Sequence, residues 1–218
     1  FGEADCPEDD TTGYGIWSAS LILAQWIASL SSSTTTATTV SSRMVVDWRG
    51  KSVLELGAGC GVPGLAAAVY QRPDHVVLTD LNPTTVENLQ HNVNLNFNNN
   101  NNDNNNTSTS ISTKVEACVM DWSRSSTSWP KPIQTSNKND DDKNNNKNDN
   151  KNNKFDIIVG SDLIYQKSIV PWLMGVLTES LRENGGIFLY CAPDTDRDGL
   201  QEFLNLLLTN NNDNDNDN

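Results

Sequence analysis

An α/β fold, with a doubly wound, mostly parallel sheet covered by helices, is predicted by three features of this 218-residue sequence. Short apolar runs alternate with stretches of helical periodicity. The first run leads directly into a glycine-rich turn, VLELGAGCGVPGLAAA (53–68), which opens a helix. The second run ends on an acid, Asp80, the placement expected where a ligand meets the carboxyl end of a strand.

Each element has its own signal. Ser52 to Leu56 reads as a strand buried on both faces, and Pro63 to Tyr70 as a helix with proline in its first turn, where an N–H is dispensable. His75 to Leu81 is the second strand and Pro83 to Leu95 the next helix. Lys114 to Trp122 and Phe155 to Leu163 follow as strands. Ile169 to Arg182 is a helix stopped by Asn184-Gly185-Gly186, Ile187 to Ala192 the fifth strand, and Gly199 to Leu208 the last helix.

The expected organisation is one domain over residues 1–208. Tracts at about 98–110, 134–154 and 209–218 are nearly all Asn, Asp, Lys, Ser and Thr, too polar to offset their ordering entropy, and are expected to be disordered. Ser31 to Ser42 reads as a loop. The sequence opens on Phe1 rather than methionine, so a fragment is expected. The net charge of −13 resides largely in the tails and the first ten residues, and no basic stripe with interleaved aromatics is present, so nucleic acid is not an expected partner. Cys6, Cys60, Cys118 and Cys191 stand far apart, and the only histidines are His75 and His91, so no metal site is expected. No signal peptide is expected, and the sequence holds no apolar run near 18 residues. The expectation is a soluble monomer of a reducing compartment, cytoplasmic or also nuclear, with no membrane association.

The glycine turn admits two cofactors. Gly59, Gly61 and Gly64 spell G-x-G-x-x-G, with Asp80 placed to accept hydrogen bonds from ribose hydroxyls, as in an NAD(P)-dependent oxidoreductase. Glu55, Gly57, Gly59 and Gly61 spell E-x-G-x-G-x-G instead. A carboxylate at the end of the first strand is unwelcome beside an anionic pyrophosphate, but suits the cationic ammonium of S-adenosylmethionine. Glu55 therefore favours the second cofactor.

GYGIWSASLILAQWI (13–27), the glycine segment, VVLTDLNPTTVENLQHNVNLN (76–96), VEACVMDW (115–122) and FDIIVGSDLIYQ (155–166) together resemble the seven-strand, class I protein-lysine methyltransferases of the methyltransferase-like group. The resemblance covers most of the ordered chain. It implies a Rossmann-like sheet, S-adenosylmethionine as cofactor, and a protein substrate such as a chaperone or translation factor. It also implies Asp162 and Tyr165 as catalytic residues, the first orienting the target amine and the second offering a phenolic hydrogen bond or ring face. Trp17 would close the site, Asp80 would hold the ribose, Asp121 the adenine amino group, and Trp122 would flank the adenine. Trp26, Trp48, Trp172 and both histidines are read as structural. The family's terminal antiparallel hairpin has no counterpart after FLNLLL (203–208), which raises a third possibility, a non-catalytic cofactor-binding remnant. The insertion after Trp122 stands to alter access to the substrate face.

Overall fold

The computed structural model describes residues 12–30, 46–98, 113–133, 153–194 and 197–212. Its strands are β1 (Ser52–Leu56), β2 (His75–Asp80), β3 (Lys114–Val119), β4 (Ile157–Ser161) and β5 (Ile187–Cys191). The helices are α1 (Ser18–Leu30), α2 (Val62–Ala66), α3 (Pro83–Val93), α4 (Val170–Ser180) and α5 (Leu200–Asn212). Among the described residues the sheet is wholly parallel, in the order β3–β2–β1–β4–β5.

Side-chain alternation sorts the apolar residues into two cores. Val53, Val76, Leu78, Ile157 and Val159 pack with Leu23 and Ile27 of α1, Ala67 and Ala68 beyond α2, and Leu89 and Val93 of α3. Leu54, Leu56, Val77 and Ile158 face the other way, toward Val170, Leu173, Val176 and Leu177 of α4 and Phe203 of α5. β1, at the centre, is buried along its whole length, which is why its sequence shows no polar alternation.

The predicted elements form, with shifted ends. β3 stops at Val119 rather than Trp122: its last ladder bond is Met120 N–H to Asp80 O (2.9 Å), after which Asp121 accepts from Ser123 N–H and starts a turn. β4 begins at Ile157 rather than Phe155, which instead makes an isolated bridge to Leu181. That bridge holds Leu181 extended and ends α4 at Ser180, five residues before Gly185. The helices after β1 and β2 each widen into a π-type turn, over Ala67–Gln71 and Asn94–Asn98. α1 is a further helix beyond those predicted, with Ala19, Ser20, Leu23, Ala24 and Ile27 forming a buried stripe of helical spacing.

Of the Asn-rich tracts, most residues lie outside the described ones, as do Cys6 and the Ser31–Ser42 loop. Two of the tracts touch described elements. α5 runs on to Asn212, with Thr209 Oγ donating to Asn205 O (3.1 Å), and Lys154 pairs with Glu183 (3.0 Å). The insertion between β3 and β4 leaves from Ile133, whose N–H donates to Nδ1 of His75 at the start of β2 (3.2 Å). It returns at Lys154, which also donates to Thr178 O near the end of α4 (2.8 Å). Both flanks, at Ile133 and Lys154, stand at the amino edge of the sheet. His75 sits in this contact as a structural residue: Nε2 lies 2.8 Å from Glu116, and burial pushes its pKa below the usual value.

The same edge is tied by Asp156. Its buried carboxylate accepts from both the N–H and the hydroxyl of Ser52 (2.9 Å each) and pairs with Arg182 and, at 3.8 Å, with Lys51. One side chain thus fixes the start of β1 against the start of β4 and the end of α4. Asp156→Ala strips an acceptor from two buried donors and is expected to cost about 3 kcal/mol of unfolding free energy in urea denaturation. A loss under about 1 kcal/mol would show that the contact does not carry the edge.

Candidate active site

The strand order reverses between β1 and β4, and a cavity of about 640 Å³ opens over the carboxyl ends of the strands at that point. Its floor is the glycine turn. Gly59 has φ +52°, and a Cβ there would stand 3.2 Å from Gly13 O, so the backbone is bare toward the cavity and the Thr12–Gly15 segment can lie against it. The Cys60 thiol holds that segment, donating to Tyr14 O at 3.5 Å. Gly57 and Gly59 line the cavity; Gly61 does not, since it backs onto Leu78 and Leu89 and shapes the turn from behind.

Glu55 does not line the cavity either. It shares the parity of Val53, so it points to the α2 face of the sheet, where it is 1 % exposed and its Oε2 accepts from Gly64 N–H at 2.9 Å. Burial is the main force raising its pKa to about 8, against the Gly64 N–H and with the help of the Asp80 charge. At neutral pH it is a protonated acid under a helix, so, contrary to expectation, Glu55 presents no carboxylate charge with which to choose between cofactors.

The remaining eight predicted residues line the one cavity: Trp17, Gly57, Gly59, Asp80, Asp121, Trp122, Asp162 and Tyr165. Three of them are acids at successive strand ends, held in different ways. Asp80 Oδ2 accepts from Gly59 N–H (3.0 Å) and Oδ1 from Asn82 N–H (3.2 Å), bracing the turn. Asp121 accepts from the N–H and hydroxyl of Ser123 and from Arg124 Nε (3.2 Å). Although burial alone would raise it, these donors hold its carboxyl below the usual range.

Asp162 is the least satisfied. Its N–H donates to Cys191 O (2.9 Å), continuing the β4–β5 ladder one step, while φ of +51° turns the residue out of the strand. Aspartate tolerates this left-handed conformation better than most residues, and such outliers gather at functional sites. The side chain is 9 % exposed; Oδ2 pairs with Arg197 (2.9 Å), and Oδ1 is buried with no partner among the described residues.

Aromatic residues frame the opening. Trp17, just before α1, is 52 % exposed, and its indole donates to Thr12 O (3.2 Å). Tyr165 is 57 % exposed and Trp172, read from sequence as structural, is 42 % exposed on the same cavity. Sequence reasoning also missed Trp129, whose buried indole donates to Asp121 O (2.9 Å), and Arg197, in the turn before α5. No local motif marks either one. Among the described residues, no cluster of three His, Cys, Asp or Glu could hold a metal ion, and no helix is long and apolar enough to cross a membrane.

A family model described as lysine methyltransferase matches residues 5–134 and 138–210. EEF1A lysine methyltransferase 3 of Mus musculus is 26 % identical over 75 % of this chain and 54 % of its own length. Protein-lysine N-methyltransferase EFM3 of Chaetomium thermophilum is 27 % identical over 89 % and 46 %. The chain spans about half the length of these curated relatives. Among solved structures, that of P. horikoshii TYW2 in complex with MeSAdo aligns with a TM-score of 0.49 at 16 % identity, covering 92 % of this chain and 55 % of that one.

The state of Glu55 has a measurable signature. The folded chain keeps its proton up to about pH 8 and the unfolded chain only to about 4.5, so this residue's contribution to stability is complete at low pH and is lost as pH rises between those values. Glu55→Gln mimics the neutral acid and cannot titrate. The stability of the native chain relative to this variant is expected to fall by up to ~1.4 kcal/mol per pH unit through the window, the one-proton limit. Parallel curves would show that Glu55 is ionised in the folded chain.

Proposed function

The chain belongs to the lysine methyltransferase family, and we propose that it transfers methyl groups from S-adenosylmethionine to a lysine of a protein acceptor. The translation factor EEF1A is the acceptor to try first, because relatives matching 74 to 75 % of this chain are named for it. The observation that carries the reading is the juxtaposition of a bare glycine turn and a half-satisfied carboxylate, Asp162, on one cavity.

The residues present fit the cofactor. A Cβ at Gly59 would crowd the Thr12–Gly15 segment, so the turn keeps backbone available to a ligand, and the cavity volume lies within the range of small-molecule sites. Gly57 and Gly59 would hold the cofactor through backbone, Asp80 would accept from ribose hydroxyls, and Asp121 from the adenine amino group beside Trp122. When bound, S-adenosylmethionine supplies a methyl activated by its sulfonium: the amine lone pair forms the N–C bond as the C–S bond breaks, its electrons remaining on sulfur.

The protein's own part is position and field. Asp162 accepts an N–H of the target amine and so aims the lone pair. Tyr165 and Trp17 offer aromatic faces to the charge that develops on nitrogen. None of these roles needs a strong base, since a lysine that reaches the seat unprotonated carries its own nucleophile.

Calorimetry with S-adenosylhomocysteine, with NADH in parallel, tests the cofactor. Binding of the former alone is expected, and Asp80→Ala should weaken it about tenfold, the worth of one charge-assisted hydrogen bond. Asp162→Ala should lower methyl transfer to purified EEF1A by about 100-fold while moving cofactor affinity far less, with a smaller loss for Tyr165→Phe. NADH binding alone would replace the reading with an oxidoreductase. Cofactor binding with no transfer to any protein would leave the non-catalytic remnant.

A further inference from the structure

Arg197 is the one cation whose side chain meets Asp162 among the described residues, and it comes from a part of the chain that no motif connects with the site. It is seated with care. The turn Arg197–Leu200 closes with Leu200 N–H on Arg197 O (3.1 Å), and Asp198 Oδ2 accepts from Lys167 N–H (3.2 Å). Gly199, at φ +93°, lies so close to Lys167 that an added Cβ would stand 2.7 Å from its Cα. The turn is thereby pressed onto the loop that carries Tyr165, and the guanidinium reaches the cavity wall with its side chain 29 % exposed.

A carboxylate alone is a poor seat for a nucleophilic amine. It stabilises the ammonium form and so withholds the lone pair that methyl transfer requires. A fixed cation one hydrogen bond away cancels most of that field. Oδ2 is committed to Arg197, and Oδ1 keeps an acceptor site for a single N–H. The geometry points to Arg197 as a positioning residue that balances the charge of Asp162, so that the seat takes the target lysine as a neutral amine. The lysine proton goes to solvent before transfer, and the methylated product leaves carrying the charge that arrived with the methyl group. This inference rests on the reading of the chain as a lysine methyltransferase.

Other charged or titratable groups look onto this region. They are Tyr190 and Cys191 of β5, Tyr165 and Lys167 before α4, Asp198 and Glu202 around the start of α5, and Asp80 and Asp121 across the cavity. All remain the same in variants of position 197, so differences among the variants report on the guanidinium.

The test is the pH dependence of kcat/KM for purified EEF1A with the wild-type chain, Arg197→Met, Arg197→Gln and Arg197→Lys, alongside thermal unfolding and S-adenosylhomocysteine calorimetry. The two neutral variants are expected to move the rise of the profile toward higher pH by about one unit, with kcat recovering at alkaline pH. Arg197→Lys is expected to stay close to wild type in profile. The two neutral residues differ in shape, so if one fails to fold the other still supplies the comparison. A folded neutral variant whose rate drops equally at every pH would overturn the inference and leave Arg197 a packing residue. A wild-type chain that methylates no EEF1A would instead remove the acceptor and this inference together, and calorimetry would show whether the cofactor reading survives.

Discussion

The packing of α2 onto the end of β1 is the constraint from which the rest of the site follows. The helix passes so close to the sheet that Gly64 has no room for a side chain between Leu78 and Glu55, and its N–H is received by the Glu55 carboxyl from below. That closeness compresses the connection from Leu56 to Val62 into a turn whose glycines at 57, 59 and 61 all take positive φ. The turn in turn leaves a bare surface, and the Thr12–Gly15 segment and Asp80 both rest on it. Burying an acid there is tolerable because burial also keeps it protonated: a neutral acid can still accept the Gly64 N–H without the cost of an unpaired charge.

Above that turn the parallel sheet does the sorting. The ends of β1, β2, β3 and β4 all lead into the same cavity, so acids as far apart in sequence as Asp80, Asp121 and Asp162 meet without any motif joining them. Their surroundings separate their tasks. Asp80 and Asp121 have their oxygens engaged by backbone and neighbouring side chains, which suits groups that hold shape and accept from a neutral ligand edge. Asp162 has one oxygen engaged and one free of partners among the described residues, which suits a group that must receive something new.

The fold was readable because its signals are local. Both-face burial in β1, β2 and β4 writes short, mainly apolar runs, and Asn82-Pro83 writes the start of α3, with Asn82 Oδ1 accepting from Thr84 N–H at 2.9 Å. Element ends were less readable, because tertiary contacts such as the Phe155–Leu181 bridge decided them. In the site, the glycine turn and Asp80 are legible from spacing, and Trp17, Asp121, Trp122, Asp162 and Tyr165 only through the family resemblance, whereas Arg197 and Trp129 depend on which distant segments meet in space. Glu55 departs from its expected place for a reason the sequence does contain: its parity with Val53 assigns it to the helix face of the sheet, where burial leaves it no charge to offer an ammonium.

The long polar insertion shows how such a site tolerates extra chain. The site needs the connections at the carboxyl edge of the sheet to be short and fixed: Leu56 to Val62, Asp80 to Pro83 and Ser161 to Val170. The connection after β3 also begins at that edge, where Asp121 and Trp122 line the cavity, but Trp129 sinks into the core and carries it down the sheet. By Ile133 the chain has reached His75 at the amino edge, and it resumes beside the end of α4. Added length between those points leaves and re-enters on the edge remote from Asp162. Trp129 is therefore more than a prop for Asp121: by sinking into the core it turns the connection away from the cavity and toward the amino edge of the sheet.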